Sequence, residues 1–144
     1  MSRSGALDRI DVLLSAITDP AFVAVYRGEP LAIAGTPVLA FWMTGRTSDF
    51  ETLGDIGSRT SVMVRAYLRM QDSPDVRESI ELAVWDAMVQ VDTQLRSDAN
   101  LAGNVTDSSL GPATVGYTNM GGAVFRTVSM PFEMELYGEI TITP

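Results

Sequence analysis

Ser61-Val62-Met63-Val64-Arg65-Ala66-Tyr67-Leu68-Arg69-Met70 alternates without a break. Val62, Val64, Ala66, Leu68 and Met70 fall on one side and Ser61, Met63, Arg65, Tyr67 and Arg69 on the other, which is the period of a strand with one buried face. Immediately downstream the period changes to that of a helix. Ser73 suits the cap, Pro74 the first turn, and Asp75 and Glu78 complement the amino-terminal end of the helix dipole. The helix is expected to run to Leu95 or Arg96, roughly 33 Å at 1.5 Å per residue. Val76, Ile80, Val84, Ala87, Met88, Val91 and Leu95 make one broad apolar stripe, which must pack on the sheet. Leu82, Trp85 and Val89 make a second stripe, nearly opposite, at i, i+3 and i+7. A helix that is apolar on two faces has two partners. The second lies either within the same subunit, under the first helix or a long loop, or in another subunit.

Working outward from this strand–helix pair, Leu7, Ile10, Leu14 and Ile17 recur at helical steps and predict a first helix over about Gly5–Ile17, stopped by Thr18-Asp19-Pro20. Phe22–Tyr26 and Val38–Met43 are strand candidates, the first turned by Arg27-Gly28-Glu29-Pro30. Residues 44–59 are polar and glycine-bearing and read as an extended loop, long for a hairpin and therefore a functional candidate. Beyond the long helix, Val105–Thr106 and Ala113–Tyr117 are weaker strand candidates. Thr118-Asn119-Met120-Gly121-Gly122 is a turn, and Ala123–Ile142 is a final strand system. Pro131 inside that system cannot donate a ladder hydrogen bond, so it marks an edge, a bulge or a break. The order α-β-β-β-α-β-β predicts a single α+β domain with an antiparallel or mixed sheet, one long helix and a short amino-terminal helix.

The residue inventory limits chemistry. The 144 residues include no histidine, cysteine or lysine, and all ten basic residues are arginines. The usual base near neutral pH, the thiolate and imidazole metal ligands, the Schiff-base amine and the phosphate-loop lysine are therefore missing. Gly54-Asp55-Ile56-Gly57 has the wrong spacing for a nucleotide loop. The pairs Asp72/Asp75, Glu78/Glu81 and Glu133/Glu135 read as solvated faces. No catalytic residue, cofactor or metal is expected. Neither is a membrane span, because no apolar run reaches about 18 residues. Seven acids and seven arginines balance in residues 1–70, whereas residues 71–144 carry eleven acids and three arginines and hold the whole net charge of −8. A duplex-binding module would carry a basic patch instead.

The succession of an amino-terminal helix, three strands with an extended loop, one long helix and a terminal strand pair resembles the tail terminator proteins of long-tailed (siphovirus-type) bacteriophages. The closing stretch Phe125-Arg126-Thr127-Val128-Ser129-Met130-Pro131-Phe132-Glu133-Met134-Glu135-Leu136-Tyr137-Gly138-Glu139 is the most family-like segment, with Arg65-Ala66-Tyr67-Leu68 before the long helix as a further point of likeness. The resemblance is one of order and texture over nearly the whole chain. It implies a virion protein assembled in the host cytoplasm as a homohexameric ring. Such a ring caps the head-proximal end of the tail tube and ends tube polymerisation. Its partners would be itself, the tail tube protein and the head–tail connector protein, with DNA crossing the lumen without specific binding. Under that reading Leu82, Trp85 and Val89 are candidates for the subunit interface. Arg46, Asp49, Phe50, Glu51 and Arg59 are candidates for a surface facing tube or connector. Another connector or completion protein, a tube subunit, a small ligand-binding or hydrolytic α+β domain and a host adaptor domain are the competing readings.

Overall fold

The computed structural model describes residues 3–52, 55–69 and 74–141. Among these residues it has a mixed α+β fold with two helices and a six-stranded sheet. The elements are α1 (Arg3–Ser15), β1 (Ala24–Arg27), β2 (Val38–Thr52), β3 (Asp55–Arg69), α2 (Pro74–Arg96), β4 (Asp107–Leu110), β5 (Thr114–Met120) and β6 (Ala123–Thr141). Strands run in the order β1-β2-β3-β6, with β4 and β5 end to end along the far side of β6. All pairings are antiparallel except β1 with β2.

The alternation in 61–70 does what its period demands. Val62, Val64, Ala66 and Leu68 are buried with Phe132, Met130 and Val128 of β6 on the face that α2 covers. Ile80, Val84, Ala87, Val91 and Leu95 close this core from α2, and Ala6, Ile10, Leu13 and Leu14 close it from α1, with Ile17 just beyond the end of that helix. The opposite face carries a smaller cluster of Val38, Ala40, Tyr67 and Phe125. Ile33 packs on that cluster, because the parallel β1–β2 pair requires the chain to cross from one strand to the start of the next.

Residues 44–59 correct the expected loop. Apart from residues 53 and 54, they continue β2 and β3 as a long antiparallel hairpin, and β6 extends alongside as far as the pairing of Asp55 with Thr141. Register shifts between Met43 and Gly45 and between Thr47 and Phe50 interrupt the ladder. Each extra residue exchanges the two faces, which erases the alternation that marks a strand. A third strand also follows α2. The expected strand at 105–106 begins as a backbone bond from the Thr106 N–H to the Glu135 carbonyl (2.8 Å) and becomes β4.

Pro131 lies in an interior strand and is accommodated by a break in its neighbour. On the β3 side it pairs with Met63 in unbroken register. On the other side its carbonyl accepts from the Gly111 N–H at 2.7 Å, where β4 has ended and β5 has not begun. The N–H and C=O of an antiparallel residue point to the same side, so the missing donor faces this gap.

One carboxylate ties the link from α2 to β4 to α1. Asp98 Oδ2 accepts from Arg9 Nε of α1 at 2.7 Å and from the Ala102 N–H at 2.9 Å. Leu101, Ala102 and Gly103 all have positive φ, and this left-handed run delivers Leu101 fully buried into the core. The Arg9 guanidinium holds the Asp98 carboxyl below its ordinary value of 3.8, burial opposes it, and the Ala102 N–H adds to the lowering. With the folded value below the unfolded one, the contribution to stability is present above the unfolded value and is lost as pH falls through the folded value. The stability difference between the wild type and Asp98→Asn is therefore expected to be largest near pH 7 and to shrink below about pH 4. Urea midpoints at neutral and acid pH give this comparison, and a difference that does not change with pH would contradict the assignment.

Candidate assembly surfaces

α2 has its inner face committed to the core and its outer face bare. Leu82, Trp85 and Val89 are 61%, 68% and 48% exposed. Neither α1 nor any other described residue buries them, so the second stripe lies open among the described residues. Exposed apolar residues scattered singly need no partner, but three in register on one helix face form a continuous patch. Between Glu78 and Val91 the helix carries Glu78, Glu81 and Asp86 and no basic residue. Glu81 accepts from Arg126 Nε of β6 at 3.0 Å, and the Arg126 guanidinium also stacks on Tyr117, 4.4 Å from the ring centroid. Trp85→Ala is expected to change the stability of the single chain by no more than about 0.5 kcal/mol, as for exposed positions generally. Chemical unfolding under conditions that keep the chain monomeric checks this, and a loss of several kcal/mol would place Trp85 in a core.

The hairpin candidates separate. Arg59 lies on β3, on the face opposite the helices, 3.6 Å from Glu133 Oε1 and 3.4 Å from Glu135 Oε1. Arg46 is exposed on β2 and pairs in register with Thr60. The backbone of Phe50 pairs with Gly57 and that of Glu51 with Ile56, while Asp49 falls inside the second register shift. Arg46 and Arg59 therefore belong to different faces of one ladder.

Two features were not legible in the sequence. On the face opposite the helices, the Arg65 guanidinium lies 5.2 Å from the Trp42 ring centroid and 6.0 Å from that of Tyr67, and its Nε donates to Ser129 Oγ at 2.7 Å. Burial pushes the Tyr67 hydroxyl above its ordinary range against the opposing effect of Arg65, which keeps it a neutral phenol. The alternation of 61–70 put Arg65 and Tyr67 on this face, but Trp42 and Ser129 reach it only through the pairing of β2 and β6. The second feature is an 810 Å³ groove beside the amino-terminal turn of α1 and the start of the hairpin extension. Leu7, Met43, Met134 and Leu136 line it, with Arg3 and Arg46 also in its wall. Those residues come from three distant parts of the chain, so no local motif announces them.

Among the described residues no group of three or more histidine, cysteine or acidic side chains is arranged to hold a metal ion, and no helix is long and apolar enough to cross a membrane. No protein-family model matches the chain, and no curated protein sequence matches it.

Proposed function

We propose that this chain is a structural virion protein of a long-tailed bacteriophage, a tail terminator acting as a ring of identical subunits at the head-proximal end of the tail tube. The observation that carries this reading is the uncovered Leu82–Trp85–Val89 stripe on a helix whose other face is already buried. A patch of that kind calls for a protein partner, and tryptophan is enriched among the residues that anchor such contacts. The order of elements, α1 followed by three strands, a long helix and a closing strand system, supports the same reading. The acid excess of residues 71–144 is suited to a lumen wall that DNA passes without adhering. In this role the ring stops tube polymerisation, and the β2–β3 hairpin end, bearing Arg46, Asp49, Phe50 and Glu51, meets the tube or the connector.

Electron microscopy of the purified protein tests the proposal. A terminator gives single closed rings, a tube subunit gives long tubes, and a persistent monomer that does not add to tail-tube ends counts against both. Removing residues 47–56 is expected to abolish tail-length control, scored by the length distribution of tails assembled in its presence. Unchanged ring formation together with unchanged tail length would remove the hairpin from the mechanism.

A further inference from the structure

The outer ridge of α2 and the groove beside α1 are both apolar and carry charge of opposite sign. The ridge is convex, apolar at Leu82, Trp85 and Val89, and flanked by Glu78, Glu81 and Asp86. The groove is concave, apolar at Leu7, Met43, Met134 and Leu136, and carries Arg3 and Arg46 with no acidic residue among the described residues of its lining. We propose that the α2 ridge of one copy of this chain seats in the α1–hairpin groove of the next copy, so that the subunits join head to tail. The inference rests on the ring reading and specifies its interface.

Three physical points select this occupant. A symmetric contact of ridge on ridge would set Glu78 and Asp86 of two copies against one another, whereas ridge in groove sets them against arginines. Ridge and groove share no residue, so each copy can use both at once. This is the condition for a heterologous contact that propagates and then closes into a ring. Met43 is unbranched, polarisable and half exposed, which suits a pocket that must accept the edge of an indole ring.

The test uses full-length chains in sedimentation velocity, with circular dichroism as the check on folding. Trp85→Ala disables the ridge and leaves the groove, and Met43→Glu disables the groove and leaves the ridge. The expected result is that neither variant forms rings alone, while an equal mixture gives a one-to-one dimer held by the single intact junction. Arg46→Glu serves where Met43→Glu disturbs the fold. It is expected to weaken association at least about tenfold, with partial recovery on adding Glu78→Arg. Rings formed by the Met43→Glu or Arg46→Glu chain as readily as by the wild type would overturn this interface and leave the ring reading standing. A mixture that stays monomeric would overturn the head-to-tail arrangement. A wild-type chain that is monomeric at every concentration, and binds an apolar dye in the groove, would overturn the ring reading and the interface together.

Discussion

Phe132→Ala is expected to lower stability by about 3–5 kcal/mol, the range for removing a buried aromatic ring. Phe132 is buried on the helix-covered face of β6, where it pairs with Val62 of β3 on one side and Leu110 of β4 on the other and joins the cluster closed by Leu95 of α2. The ring therefore fills space bounded by three elements, none of which can collapse into the void without breaking a ladder or lifting the helix. Domains of this size are stable by only about 5–15 kcal/mol, so the variant would retain a fraction of the wild-type margin. Thermal unfolding is expected to move down by roughly 10–15 °C, and the urea midpoint to fall with an unchanged slope. A loss below about 1 kcal/mol would mean that the junction of α2, β4 and β6 is not the centre of the core. Set beside the small effect expected at Trp85 in the monomer, the pair of variants distinguishes the two apolar faces of α2 by experiment.

Gly111→Ala is expected to cost about 1–3 kcal/mol, the range for forcing extra volume into a packed site. A Cβ at Gly111 would lie 2.8 Å from Pro131 Cγ and 3.3 Å from Pro131 O. The proline ring cannot retreat, because Pro131 is held in register by Met63 on one side and by the Gly111 N–H on the other. Gly116→Ala is the control within the same edge. The nearest atom to its new methyl group would be Thr127 Oγ1 at 3.6 Å, an ordinary contact. There the substitution is expected to be neutral or mildly stabilising, since it restricts the unfolded chain without a clash. Equal losses at the two glycines would remove the close approach to Pro131 as the cause. The same contact explains why Pro131 is tolerated in an interior strand: its neighbour is interrupted at the residue where a backbone donor would otherwise be needed.

Several of these features follow from local periodicity, and those were readable in the sequence. The two-residue period of 61–70 placed Val62, Val64, Ala66 and Leu68 in the core and Arg65 and Tyr67 on the opposite face. The three-to-four-residue period of α2 separated Ile80, Val84, Ala87 and Val91 from Leu82, Trp85 and Val89, and the structure keeps that division. These outcomes are fixed by backbone geometry, which dictates which side chains share a face before any partner is known. The 44–59 hairpin escaped because its two register shifts exchange faces, and its polar residues become a strand only when β6 supplies a neighbour for β3. The parallel entry of β1 and the break opposite Pro131 likewise depend on which strands meet.

For the stripe at Leu82, Trp85 and Val89, helical periodicity alone is enough to show that α2 has a second apolar face. That no other described residue of the chain covers that face follows from how the elements pack, which the helix's own period does not fix. The arginine-lined groove that matches it is decided by the same packing, because Leu7, Met43, Met134 and Leu136 are brought together only by non-local pairing, which leaves no periodic trace in the chain.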